Sequence, residues 1–149
     1  MLYTAYGRKI KSNIIINYLR RLEMVKVYKC QESGIVVAKI YGADDHAPSC
    51  CGKEMVELKA NTVDAAKEKH VPVIEKDGNK VVVKVGSVEH PMTEEHHIGF
   101  IAIETCCGLR LAELDHTGKP EATFYLGEDE ELKAAYEYCN LHGLWKAEA

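Results

Sequence analysis

Apolar and polar residues alternate over short stretches along most of this chain, and β-branched residues fill many of the apolar positions. Two such runs, Val71–Glu75 and Lys80–Val85, flank Asp77-Gly78, a dipeptide that favours a tight turn, so the segment predicts a β-hairpin. Ile98–Glu104, Leu109–Leu114 and Ala122–Leu126 read as further strands, with Thr117-Gly118-Lys119-Pro120 as a turn. Upstream, Val25–Cys30 and Ile35–Ile40 alternate on either side of Gly34, and Ala43–Ser49 is loop by composition. Short strands at regular spacing predict an all-β chain folded as an antiparallel sandwich. Two places depart from the pattern. Leu132, Ala135, Tyr136 and Cys139 fall on one helical face, so Glu130–Cys139 predicts a short helix that starts at Glu128 or Asp129 and delivers Cys139. Asn61 or Thr62 is placed to cap a short helical turn, with Asp64 near its positive end.

The predicted strands place histidines together. A hairpin returns its two ends to one edge, which makes His70 and His90 neighbours. Pro91 stops the second strand, and Thr93–Glu95 is long enough for one turn that brings His96 back beside His90. Cys139-Asn140-Leu141-His142 has a spacing that lets a thiolate and an imidazole hold one metal ion. Taken singly, each histidine reads as a hydrogen-bonded edge residue and Cys139 as a small buried hydrophobe. Their joint occurrence favours ligation. Structural zinc closes its shell with four ligands, whereas four imidazoles and one thiolate exceed that number and suit iron with one position open. His97 points away from His96 if the chain is extended there. His46, His116, Cys106 and Cys107 receive no role.

Length and composition fit one ordinary domain with a small appendage: 149 residues, 46% of them hydrophobic. A net charge of −4 argues against nucleic-acid binding. No apolar run approaches the ~20 residues of a membrane helix. Six cysteines could form a disulfide framework, yet the adjacent pairs Cys50-Cys51 and Cys106-Cys107 suit metal ligation or reduced thiols, and no secretory signal is visible. The expected compartment is the cytoplasm. Residues 1–23 stand apart, with Arg8, Lys9, Lys11, Arg20 and Arg21 and no acid before Glu23. The expectation is that Met24 is the true first residue and that residues 1–23 lie outside the fold; a targeting helix or a functional extra helix are the alternatives.

Three blocks, AAKEKHVPVIEK, VKVGSVEHPMTEEHHI and EYCNLHGLWKAE, resemble the iron-binding segments of the superoxide reductase family, also called desulfoferrodoxin or neelaredoxin. The likeness extends back over Val27–Leu58. It implies a seven-stranded immunoglobulin-like sandwich over residues 62–149, preceded by a small desulforedoxin-like β module over residues 24–61. It also implies one catalytic iron per chain, cycling between Fe(II) and Fe(III). His70, His90, His96 and His142 would lie in an equatorial plane, with Cys139 axial. Glu68 and Lys69 match the family at the positions just before His70. With a net charge of −4 and an anionic substrate, a local cation at the open position is expected. Lys69 is the expected one, also holding the water that protonates the product; the resemblance gives Glu68 a part in displacing product. The implied reaction is one-electron reduction of superoxide to hydrogen peroxide, with rubredoxin or a similar donor and a homodimeric assembly. A non-catalytic iron-binding or electron-transfer protein is the alternative.

In the same likeness the small module holds a second iron through four thiolates. Cys30, Cys50 and Cys51 match, but Ser33 stands where the second cysteine belongs, and a hydroxyl is a harder and far less acidic ligand than a thiol. The expectation is a relic of a metal site whose fold is kept for stability or dimer contact. An altered site with an oxygen in the fourth position is the alternative.

Overall fold

The computed structural model describes residues 26–40 and 46–149. The expectations for residues 1–23 and for Met24 as the start lie outside the described residues. The strands are β1 (Lys26–Lys29), β2 (Val36–Lys39), β3 (Ser49–Cys50), β4 (Lys53–Glu54) and β5 (Val56–Leu58). A single helical turn, α1 (Lys67–His70), follows. Then come β6 (Pro72–Asp77), β7 (Lys80–Val85), β8 (Ile98–Thr105), β9 (Gly108–Glu113), β10 (Glu121–Tyr125), β11 (Leu132–Cys139) and β12 (Gly143–Glu148).

Alternation does the work the sequence suggests. β7 turns Val81, Val83 and Val85 inward, and β10 does the same with Ala122 and Phe124. They meet Ile98, Ile101 and Ile103 of β8 and Ala135 and Cys139 of β11 in one apolar core. That core lies between a three-stranded sheet, order β10-β7-β6, and a four-stranded sheet, order β12-β11-β8-β9, with every pairing antiparallel. The result is the expected seven-stranded sandwich of immunoglobulin-like type. Among the described residues no helix is long and apolar enough to cross a membrane.

The remaining strands form a smaller sheet, order β2-β1-β5, and a two-stranded hairpin, β3-β4. Val27 of β1 packs with Ala102, Tyr136, Tyr138 and Leu144 on the outer face of the four-stranded sheet. That contact explains the main correction. Residues 132–139 form a strand, not the predicted helix. Tyr136 and Tyr138 face the small sheet, while Ala135 and Cys139 face the sandwich core, so both faces are covered and no polar alternation survives.

Two local expectations shift. The hairpin turn is Gly78-Asn79, since Asp77 pairs with Lys80, and Gly78 (φ 58°) occupies the first central position, where a type II′ turn takes glycine. Asn61 and Thr62 do not cap α1, whose N-cap position is Ala66 without a side-chain bond. Asn61 instead grips β12: its Nδ2 donates to the Lys146 carbonyl at 3.1 Å and its Oδ1 accepts from the Lys146 N–H at 2.9 Å.

At the opposite end, Glu130 binds several elements together. Its carboxylate accepts from Thr105 Oγ1 (2.6 Å), from the Gly127 N–H (2.8 Å) and from the Arg110 guanidinium. The Gly127 and Thr105 bonds, in that order, hold its carboxyl below the usual range, with Arg110 adding to the effect. A depressed carboxyl contributes stability that is present above its unfolded pKa and is lost as pH falls through the folded value. Glu130→Gln is therefore expected to melt lower than the parent at pH 7, with the gap closing as pH falls below ~4. A gap that stays constant over thermal melts from pH 7 to pH 3 would remove the carboxylate from that role.

Candidate metal centre

One end of the sandwich collects the chemistry. α1 delivers His70 just before β6 begins, and the connection from β7 to β8 carries His90 and His96. Cys139 ends β11, and His142 lies in the turn into β12. Antiparallel pairing puts these points together, because Pro72 sits opposite Val85 and Cys139 opposite both Ile98 and Gly143. The expected turn at Thr93 is present: Thr93 Oγ1 accepts the His96 N–H at 3.1 Å, and the Thr93 N–H donates to the His96 carbonyl at 3.0 Å.

The five side chains converge so closely that one ligand atom from each lies within 4.8 Å of the others. The imidazoles close a four-sided ring. Adjacent centroids are 4.8 Å apart for His70 and His90, 4.5 Å for His90 and His96, 4.9 Å for His96 and His142, and 4.8 Å for His142 and His70. The diagonal from His70 to His96 is 6.4 Å, and each adjacent pair is nearly perpendicular. Cys139 Sγ stands 3.6 Å from His142 Nδ1.

Outer contacts aim the lone pairs. His70 Nδ1 lies 2.7 Å from the Ala66 carbonyl, and His90 Nδ1 lies 2.7 Å from the Pro91 carbonyl. A carbonyl only accepts, so Nδ1 carries the proton in both rings and Nε2 presents a bare lone pair to the centre. His90 Nε2 and His96 Nε2 are buried without a hydrogen-bond partner. His70 Nε2 and His142 Nδ1 approach to 3.0 Å. Buried nitrogens without a partner, as at His90 and His96, are costly, and a cation in the ring satisfies both. The residues therefore fit a metal ion.

The electrostatics agree. Burial, helped by the other three imidazoles, pulls His90 down to about 4. Burial also lowers His96 and His142, with His142 and His70 adding to the shift in His96 and His70 adding to that in His142. His90 is therefore neutral at pH 7, as a ligand must be. Burial pushes the Cys139 thiol up, opposed by the backbone N–H groups of His142 and Leu141. Glu137 shares the inward face of β11, fully buried, and neither carboxylate oxygen has a partner. Burial raises it to about 9, so it stays neutral at pH 7.

Several residues that build this end went unread in the sequence. Trp145, fully buried, stacks on His70 at 4.9 Å, and its Nε1 donates to the His142 carbonyl at 3.2 Å. Asn140 ties the Cys139–His142 turn to the His96 loop: its Oδ1 accepts the His97 N–H at 3.0 Å and its Nδ2 donates to the Glu95 carbonyl at 2.9 Å. His97 lies outside the cluster, its Nδ1 3.1 Å from the Thr93 carbonyl. His46, Cys106 and Cys107 are exposed and stand apart as well. Glu68 and Lys69 are exposed on α1, and the charge of Lys69 reaches His96 and helps to lower it.

Gly86 (φ 78°) is the hinge on which α1 rests. An added Cβ would lie 2.5 Å from the Val88 carbonyl oxygen, 2.7 Å from the Glu68 carbonyl oxygen and 2.8 Å from the Lys69 carbonyl carbon. All three are backbone atoms, and the Glu68 carbonyl also accepts the Val88 N–H at 2.9 Å. Gly86→Ala should displace α1 and with it His70. The expected cost is about 2 kcal/mol or more, with loss of metal retention. Thermal melts and metal analysis check this, and a variant that melts and binds metal like the parent would show that α1 moves freely.

A second cluster joins Cys30, Cys50 and Cys51, whose sulfurs also lie within 4.8 Å of one another. Hydrogen bonds from Ser33, side chain first and then backbone, bring the Cys30 thiol down to about 6, while Cys50 raises Cys51.

A β-sandwich with four histidines and one cysteine gathered at one end is the class that fold and site define. The desulfoferrodoxin family model matches residues 62–148. The desulfoferrodoxin of Syntrophotalea carbinolica is 49% identical over 126 residues, spanning 85% of this chain and 98% of its own. The superoxide reductase of Thermococcus kodakarensis is 39% identical over 98 residues, spanning 54% of this chain and 85% of its own. The solved superoxide reductase from Treponema pallidum superposes with a TM-score of 0.70 at 41% identity, covering 85% of this chain and all of its own. The chain belongs to the desulfoferrodoxin family.

Proposed function

We propose that this protein is a superoxide reductase that binds one iron through His70, His90, His96, Cys139 and His142. The observation that carries the reading is the closed ring of four imidazoles beside a cysteine, with the buried Nε2 atoms of His90 and His96 left unpartnered. Iron bound there supplies the single electron that, with two protons, takes superoxide to hydrogen peroxide. The protein groups do the rest. Burial of His70, His90 and Cys139 keeps that side of the ring dry, while His96 and His142 are half-buried and leave an approach. Lys69 Nζ draws the anion to that approach and hydrogen-bonds the water that delivers protons. Glu68 exchanges at the same approach and helps product leave. A small one-electron carrier of the rubredoxin kind restores the electron, and the chain works as a cytoplasmic homodimer. Residues 24–61 act as a separate module from residues 62–149, a division supported by their distinct sheets and by a family match that begins at residue 62.

Iron analysis combined with superoxide consumption, with and without an electron donor, tests the reading. One iron per chain and donor-dependent consumption are expected. Iron binding without consumption would make the protein a store or carrier, and donor-independent consumption would make it a dismutase.

A further inference from the structure

Cys30, just after β1, and the β3–β4 hairpin form a second cluster of different character. The family likeness implies iron held by four thiolates, and the residues present do not fit it, because Ser33 supplies a neutral hydroxyl at the fourth corner. We propose that Cys30, Cys50 and Cys51 bind a closed-shell divalent cation, zinc, with Ser33 Oγ or water as the fourth ligand.

The backbone around the pair is not that of a relic. Adjacent residues in a strand point to opposite faces, so Cys50 and Cys51 cannot share a ligand in regular β structure. Here Cys50 pairs with Lys53, leaving Cys51-Gly52 as a two-residue turn with both residues at positive φ, 53° and 74°. That turn favours asparagine or glycine, and a cysteine there is strained. Cys51 is exposed, so packing does not offset the strain. What the strain achieves is to bring Cys51 Sγ to 3.7 Å from Cys50 Sγ, on the side of Cys30. Strain held without a packing return marks a functional position.

Ser33 still sits at the fourth corner. Ser33 Oγ lies 3.5 Å from Cys50 Sγ, and the Ser33 N–H donates to Cys30 Sγ at 3.4 Å. The loop after Cys30 thus still wraps the sulfurs, with Gly34 at φ 75° closing it. The local core is also small. Among the described residues the buried ones around this site are Tyr28, Cys30 and Met55, and all three site cysteines are free thiols. So small a cluster gains from a cross-link beyond the packing of Val27 on the sandwich, and a metal supplies one.

Zinc suits the set better than iron does. It accepts sulfur and oxygen in one tetrahedron, has no redox demand, and outcompetes ferrous iron at equal ligands. The site would brace the module without carrying electrons.

The full chain, expressed with supplemental zinc and iron, is compared with Cys51→Ser and Cys50→Ser by elemental analysis and Co(II) titration. The parent should carry about one more zinc per chain than either variant at equal iron content. Co(II) should give it a tetrahedral thiolate spectrum that saturates at one equivalent and is absent from both variants. Circular dichroism shows which variants are folded, and Cys51, being exposed, is the safer of the two. Equal zinc in the parent and a folded variant overturns the proposal. So does a parent whose cysteine-dependent metal at this site is iron.

Discussion

Cys139→Ser is expected to keep the sandwich folded while losing most of the reaction with superoxide. The side chain is fully buried in the main core, and sulfur to oxygen is a small change in volume. A serine hydroxyl is far less acidic than a thiol, so it neither charges nor gives electron density to a bound iron as a thiolate does. The thiolate-to-iron absorption of the oxidised protein should vanish. Activity should fall by at least the ~10–100-fold that changes in the outer contacts of a metal site already produce. Iron content, the visible spectrum after oxidation and stopped-flow mixing with superoxide measure the three effects separately. A serine variant as coloured and as fast as the parent would show that Cys139 is not a ligand. A variant that loses iron but stays folded would instead show that the thiolate is needed for retention.

How much of this was legible in the chain follows from the reach of each interaction. The β6–β7 hairpin, the turn that returns His96 and the Cys139–His142 spacing are local, and each was readable within a short window. β11 was not, because its two faces answer to different partners far away in sequence. Tyr136 and Tyr138 meet the small sheet, and Ala135 and Cys139 meet the core, which erases the period that marks a strand. The start of α1 at Ala66 rather than at Asn61 or Thr62 has a related reason. Its start lacks a side-chain cap, and its position is set by Gly86 and Val88, roughly one hairpin downstream. Asn140 and Trp145 looked like ordinary residues because their partners, Glu95, His97 and His70, are brought near only by the finished sandwich. The strained Cys51 turn was equally hidden, since the sequence shows an adjacent pair and not the backbone that joins it.

Lys69→Ala should slow the second-order reaction with superoxide by roughly 10-fold and flatten its dependence on ionic strength. The chain carries a net charge of −4, so the long-range field works against an anionic substrate. A local cation at the mouth of the site must therefore reverse that field over the last few ångströms. Lys69 is exposed, directly precedes His70, and lies close enough to His96 for its charge to bear on that ring. Glu68, its exposed neighbour, has the opposite sign, so the pair supplies a control within one turn of helix. Glu68→Ala should leave the superoxide step near the parental rate and change chiefly the absorption and ligand exchange of the oxidised protein. Lys69→Arg keeps the charge and should recover most of the rate, whereas Lys69→Gln should not. Rates over a range of salt separate steering from proton delivery, because steering weakens as the Debye length shortens below ~10 Å and a proton donor's contribution does not. If Lys69→Ala reacts at the parental rate with the parental salt slope, steering belongs to another cation and Lys69 is a solvated surface residue.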